Sequence, residues 1–248
     1  MSYGRALIYC YDGSFDGLMC CVFEGFARKE IPSEITVGIP VQLSFSEFRD
    51  IETDGEKAAR VIAAIPKKIS ENVFDLVRKM FLSCAENKEM VIFLYLAKGF
   101  RVGARIEHML TDDTVNALNS AVLHCTHEAH LLEGFVRFSD CGGYLAAVIE
   151  PKNIVIPLLA GHFIDRLQNE NFLIYDKTHR MALVYYKRRA EIAENIGFEL
   201  PPAEGEEVMY RELWKCFYNA VGIKERYNPR CRMSLMPKRF WGNMTEMQ

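Results

Sequence analysis

The sequence predicts an α+β fold: an N-terminal strand-turn-helix region plus helices, then an antiparallel sheet built from two strand pairs with flanking helices. Three observations support this. Apolar residues recur at helical spacing through most of the first half of the chain. Two later segments, "GFVRFSDCGGYLAAVIE" and "NFLIYDKTHRMALVYYK", each read as strand–turn–strand. Helical patterns lie between and after those pairs, an order that suits helices packed on an antiparallel sheet. One domain over 1–248 is expected, with 1–110 and 111–248 as the alternative subdivision.

The opening "ALIYCYDGSFDG" begins with a short apolar strand and a Gly/Asp/Ser turn. A helix follows, because Phe15, Leu18, Met19, Val22, Phe23 and Phe26 form one apolar face. Ser14 suits its N-cap, and Arg28 and Lys29 suit its C-terminal end. A second strand is expected near 48–53. "TDGE" at 53–56 then matches a capping box led by Thr53, and the helix it opens should stop before Pro66.

Helices are expected at 70–86 and at 88–98, although "MVIFLYLA" in the latter could equally form a buried strand. From 112 to 131 a longer helix carries Val115, Leu118, Val122, Cys125, Ala129 and Leu132 in steps of three and four. In the first strand pair a Gly-Gly turn leaves Phe135 and Tyr144 to pack across the strands. A helix near 157–168 precedes the second pair. "FELPPAEGEE" reads as a surface connection, and a helix with Trp214, Phe217 and Tyr218 follows it.

Half of the residues are hydrophobic, a quarter are charged and the net charge is −3, so any attraction to nucleic acid must be local. No apolar run approaches the roughly 20 residues needed to span a bilayer. The apolar run within "MSYGRALIYCYDG" is too short for a signal peptide. Eight cysteines lie scattered without a Cys-x-x-Cys pair, which fits small core residues better than disulfides, zinc or an iron–sulfur cluster. A cytoplasmic protein with no membrane contact, no metal and no cofactor is the expectation.

Four constellations are candidates for chemistry. "YDGSFDG" at 11–17 has the place of a phosphate loop, but it lacks the Lys of a Walker motif, and Asp12 and Asp16 repel anions. Its glycines and caps explain it as a turn. His124, His127 and His130 fan across a helix in steps of three, which suits a solvated face better than a metal site, though His124 and Glu128 keep a ligand-like spacing of four. His162 and Arg166 lie one helical turn apart, and Asp176, Thr178 and His179 share a turn. With His130 they define a candidate His/Arg pocket, with His130, His162 and His179 as the possible acid–base groups.

The fourth is the C-terminus. Between Lys224 and Arg239 stand six basic residues and one acidic residue, Glu225, in a chain that is acidic overall. Guanidinium groups bind phosphates bidentately and aromatic faces stack on bases. Arg226, Arg230, Arg232, Lys238 and Arg239 are therefore candidate contact residues, with Phe240 and Trp241 as packing anchors and Trp241 also a candidate contact; Arg137 and Arg166 could extend the same surface.

The segments "EAHLLEGFVRF", "HFIDRLQNENFLIYD" and above all "YNPRCRMSLMPKRFWGNMTE" resemble an uncharacterised bacterial family described as DNA-metabolism proteins. Its members are typically encoded beside a radical-SAM protein assigned to DNA modification or repair, and a related domain is fused ahead of some uracil-DNA-glycosylase-like proteins. The resemblance spans nearly the whole chain. Its pattern falls on His130, Gly134, Phe135, Arg137, Phe138, Phe163 and Arg166. It continues on Asn228, Pro229, Arg230, Met236, Pro237, Lys238, Phe240, Trp241 and Asn243. It carries no catalytic role. Because the chain ends where the fused proteins would continue, no glycosylase chemistry is expected, and the cluster and S-adenosylmethionine belong to the neighbour.

The resemblance implies a DNA modification or repair accessory protein that binds nucleic acid, most simply DNA, or adapts a radical-SAM partner to it. An enzyme acting on a nucleotide or nucleic-acid lesion through the His/Arg pocket is the alternative. A purely protein-binding module, docking through the Arg/Trp cluster, is a third.

Overall fold

The computed structural model describes residues 6–38 and 46–247. Residues 1–5 of the opening stretch and the side chain of Lys224 lie outside the described residues. The chain divides into two compact units, Met1–Cys125 and Thr126–Gln248.

The first unit holds β1 (Leu7–Tyr11), α1 (Phe15–Arg28), β2 (Glu34–Val37), β3 (Glu47–Asp50), α2 (Gly55–Lys68), α3 (Glu71–Leu82) and α4 (Lys88–Val102). A 3-10 turn at Gly103–His108 leads into α5 (Asp113–Phe135), whose last ten residues belong to the second unit. The strands form a parallel sheet in the order β2-β1-β3, with Tyr9 opposite both Ile35 and Arg49. Central parallel strands are buried on both faces, which explains why "LIYCY" reads as a continuous apolar run. Ser14 caps α1 by accepting from the Gly17 amide, as its position suggested. Gly25 is the price of close packing between α1 and α4: a Cβ there would lie 2.5 Å from the Phe93 ring.

Two local expectations change, and one alternative is settled. The N-cap of α2 is Asp54, which accepts from the amides of Glu56 and Lys57, while Thr53 turns away to donate to Asp12. Carboxylate and hydroxyl are comparable caps, and the tertiary bond to Asp12 selects between them. The same helix continues past Pro66 to Lys68, because a proline in the last turn removes only one amide from the ladder. The "MVIFLYLA" run is helical, within α4. Strand β2 was not anticipated, since only Ile35 of "EITV" is buried.

The second unit continues with β4 (Ser139–Asp140), β5 (Leu145–Ile149), α6 (Ile156–Arg166), β6 (Phe172–Asp176), β7 (Met181–Tyr186), β8 (Arg189–Ala193), α7 (Glu206–Val221) and α8 (Pro229–Leu235), and ends in 3-10 turns at Lys238–Asn243 and Thr245–Met247. Its sheet runs β4-β5-β6-β7-β8. The α+β class holds. The sheet is mixed, however: β5 and β6 pair in parallel, with Val148 opposite Tyr175, and the other pairs are antiparallel. Helix α6 is the reason, since a helical crossover returns the chain to the end from which β5 started. The expected cross-strand pair of Phe135 and Tyr144 does not form. Phe135 ends α5 and packs on Phe240 at 5.5 Å. Strand β8 was not anticipated either: its Arg-Ala-Glu-Ile alternation is short, and the strand is exposed along nearly its whole length.

Ile149, Leu159, Phe163, Ile174, Leu183, Phe240 and Met244 build the core of this unit. All six residues that define the apolar stripe of α5 are buried, Val115, Leu118 and Val122 in the first core and Ala129 and Leu132 in the second. Helix α7 is different: none of its residues is buried.

Candidate functional site

The C-terminal motif is built from ordinary capping chemistry. Asn228 accepts from the Cys231 amide and so caps α8, and Pro229 takes the first helical position, where a missing amide costs nothing. After α8 the chain turns at Pro237, and Phe240 drops into the core. The Trp241 indole donates to the Met236 carbonyl at 3.0 Å. Phe240 is thus a core anchor, and the half-buried Trp241 is held by the motif itself.

Two of the predicted contact cations serve this architecture. Arg239 donates to Glu128 at 3.0 Å, and Glu128, 1% exposed, also accepts from the amides of Lys152 and Asn153. A buried carboxylate with several donors fastens α5 to the 152–153 turn and to the C-terminal turn. Glu128 is therefore committed, and the ligand-like spacing with His124 has no chemical consequence.

Arg137 forms a bidentate pair with Glu246, whose side chain is 2% exposed, at 2.6 and 3.1 Å. Burial pushes the Glu246 carboxyl up. The Arg137 bonds, a backbone bond and the Trp214 indole together outweigh burial and hold it below the usual glutamate range. Trp214 donates to Glu246 at 3.0 Å while the Arg137 guanidinium stands over its ring at 5.5 Å. Trp214 is consequently fixed in place, although it lies on a helix with no buried residue.

The remaining cations are placed otherwise. Arg166, Arg226, Arg230, Arg232 and Lys238 enter no ion pair among the described residues, whereas Arg137 and Arg239 do. Arg166 sits in the last turn of α6, Arg226 in the 3-10 turn before α8, and Arg230 in α8. The Arg232 guanidinium lies near two rings, Trp241 at 5.0 Å and Tyr227 at 5.5 Å. Its Nε is buried and has no hydrogen-bond partner. Lys238 stands over the Trp241 ring at 5.8 Å.

Two clefts flank α7. One of about 640 Å³ is lined by Trp214, Phe217, Tyr218, Tyr227 and Arg232, among others. The other, about 780 Å³, is lined by Arg137, Phe138, Arg166, Tyr210, Arg211 and Trp214, among others. Trp214 and Phe217 line both, and their rings stack at 5.7 Å with 30° between planes. The structure therefore brings Arg137 and Arg166 together in one cleft and places Arg232 in the other.

No histidine lines either cleft. His130 is exposed beside Glu133, His162 sits edge-on to Phe163 with a buried, unpartnered Nε2, and His179 bonds the buried carboxylate of Asp176 at 2.6 Å. The three imidazoles thus engage three separate neighbours. His124, His127 and His130 are all exposed, as expected for a solvated face. In the first unit Asp12 accepts from the Ser14 amide and hydroxyl and from Thr53, and the Ser14 bonds lead in holding its carboxyl below the usual range. A Cβ at Gly17 would lie 2.3 Å from that carboxylate, so the turn is filled by its own side chain and not by a phosphate. Among the described residues no group of three or more His, Cys, Asp or Glu could hold a metal ion, and no helix is long and apolar enough to cross a membrane.

Glu246 and Tyr227 escaped the sequence reading of the site, Phe217 was read only as a residue of the helix carrying Trp214, and Glu128 only as a possible ligand beside His124. The stripe Tyr210, Leu213, Trp214, Phe217 and Val221 has ordinary core spacing, so nothing in it announced exposure. No curated protein matches the chain. The model of the family described as "Domain of unknown function (DUF4130)" matches residues 86–246, well over half of the chain, and the protein belongs to that family.

Proposed function

We propose that the protein is an accessory factor of DNA modification or repair that holds nucleic acid on the arginine- and aromatic-rich surface of Thr126–Gln248. The observation that carries this reading is the sorting of the cations. Arg137 and Arg239 are neutralised by buried carboxylates, while Arg166, Arg226, Arg230, Arg232 and Lys238 are left for an external anion. The choice of DNA draws on the motif resemblance. Binding should weaken with salt along a log–log slope of about −3 to −5, as five phosphate contacts require. Fluorescence anisotropy with a labelled oligonucleotide across a salt series measures it. Absence of binding at low salt would remove the reading.

A second reading has its own support. Leu213, Val221, Ile223 and Leu235 are aliphatic and exposed, which suits a protein partner such as the radical-SAM neighbour better than it suits DNA. Co-purification that survives nuclease and is lost with Leu213→Glu would favour that adapter role.

A further inference from the structure

We propose that the cleft lined by Trp214, Phe217, Tyr218, Tyr227 and Arg232 takes unstacked bases of single-stranded DNA; this rests on the nucleic-acid reading and names its substrate class. Aromatic side chains capture bases only when the base faces are free, since in a duplex each face already covers its neighbour. The cleft's volume of about 640 Å³ lies within the range of small-molecule sites.

The platform is pre-organised. Trp214 is held by its indole bond to Glu246 and by Arg137 over its ring, so it does not need to be ordered by the ligand. Phe217 stacks on Trp214 yet remains 58% exposed, and Tyr227 is 66% exposed. Rings left this open in water gain from being covered, and a base offers a flat apolar face of matching shape.

Arg232 provides an independent observation. Its guanidinium is placed by Tyr227 and Trp241, with a buried Nε that lacks an acceptor. Arg232 lines the cleft and enters no ion pair among the described residues, so a phosphate entering the cleft can be bound by its guanidinium. Arg226 and Arg230, in the segment on either side of Tyr227, would follow the backbone beyond it.

The test uses the full chain. Trp214 and Trp241 are its two tryptophans, so Trp241→Phe leaves Trp214 as the reporter. A thymidine oligonucleotide of about a dozen residues should quench that fluorescence and bind at least roughly tenfold tighter than a duplex of equal length. Phe217→Ala should weaken single-strand binding by about 5- to 150-fold and leave duplex binding within about twofold. If Trp241→Phe fails to fold, the single-strand to duplex ratio of the unmodified protein and of Phe217→Ala decides alone. Equal affinity for both forms, with no effect of Phe217→Ala, would overturn the base site while the nucleic-acid reading stands. Binding of neither form at low salt would remove both. Phe217→Ala abolishing self-association or partner retention without changing DNA affinity would assign the cleft to a protein and also overturn the proposal.

Discussion

Helices α1 and α7 have similar lengths and comparable aromatic stripes, yet α1 buries Leu18, Met19, Cys20, Cys21 and Val22 while α7 buries nothing. Burying a Leu, Met or Val side chain is worth about 1.5–3 kcal/mol, and α1 collects that gain against β1, α2 and α4. Helix α7 rests mainly on the Thr245–Met247 turn and leaves Leu213 and Phe217 in water. The stripe on a helix states that a face needs cover; it does not state where the cover comes from. In α1 the cover is the protein's own core. In α7 it is withheld, and polar side chains hold the helix instead: Trp214 donates to Glu246, Arg211 donates to Ser139, and Glu207 accepts from the Asp140 amide.

The comparison can be broken most directly by truncating one leucine on each helix. Leu18→Ala should cost about 2–5 kcal/mol by leaving a cavity. Leu213→Ala should stay within about 0.5 kcal/mol, as for surface positions. Urea unfolding followed by far-UV circular dichroism measures both, and a large effect at Leu213 would mean that α7 is covered in solution.

Next in size is the carboxylate that fastens α5 to the C-terminal turn. Glu128→Ala should cost about 2–4 kcal/mol, because it strands Arg239 and two amides. Tryptophan fluorescence isolates the effect, since both tryptophans lie in Thr126–Gln248.

Glu246→Gln should be milder, about 1–3 kcal/mol at neutral pH, through loss of the charge-assisted bonds to Arg137. Its pH signature has a definite sign. A carboxyl held below its ordinary value in the folded state contributes stability that is full above the unfolded value, near 4.3. That contribution is lost as pH falls through the folded value. Acid titration of tryptophan fluorescence should therefore show a limb below about pH 4.3 that is flattened in Glu246→Gln.

The smallest effect is chemical. Cys84, Cys216 and Cys231 are exposed and should react with a thiol reagent in the native protein. Cys10, Cys20, Cys21 and Cys125 are buried and should react only on unfolding. Burial pushes the Cys21 thiol up to about 12, which removes its thiolate at neutral pH. Native reactivity at Cys21 would contradict the packing of α1.

Much of this architecture was legible in the residues. The α5 stripe, the Ser14 cap, the turn character of "YDGSFDG" and the β6–β7 hairpin all follow from local chemistry, because capping and periodicity act over a few residues. The α6 helix between the strand pairs was visible too, but its consequence was not: an antiparallel sheet was expected, and the crossover makes β5 and β6 parallel. Less legible was the candidate surface. The basic cluster stood out by composition, but Arg137 and Arg239 looked the same as Arg232 and Arg230 until Glu246 and Glu128 were found beside them.

The sequence by itself therefore determined the α+β class, most helices and the concentration of cations at the C-terminus, since each depends on neighbours in the chain. Only the tertiary structure decided which cations are neutralised, which aromatic stripe stays exposed, and that Arg137 holds Trp214 in place. Arg137 and Glu246 are 109 positions apart. Charge pairing and burial depend on distance through space, and no local pattern encodes a separation that folding alone removes.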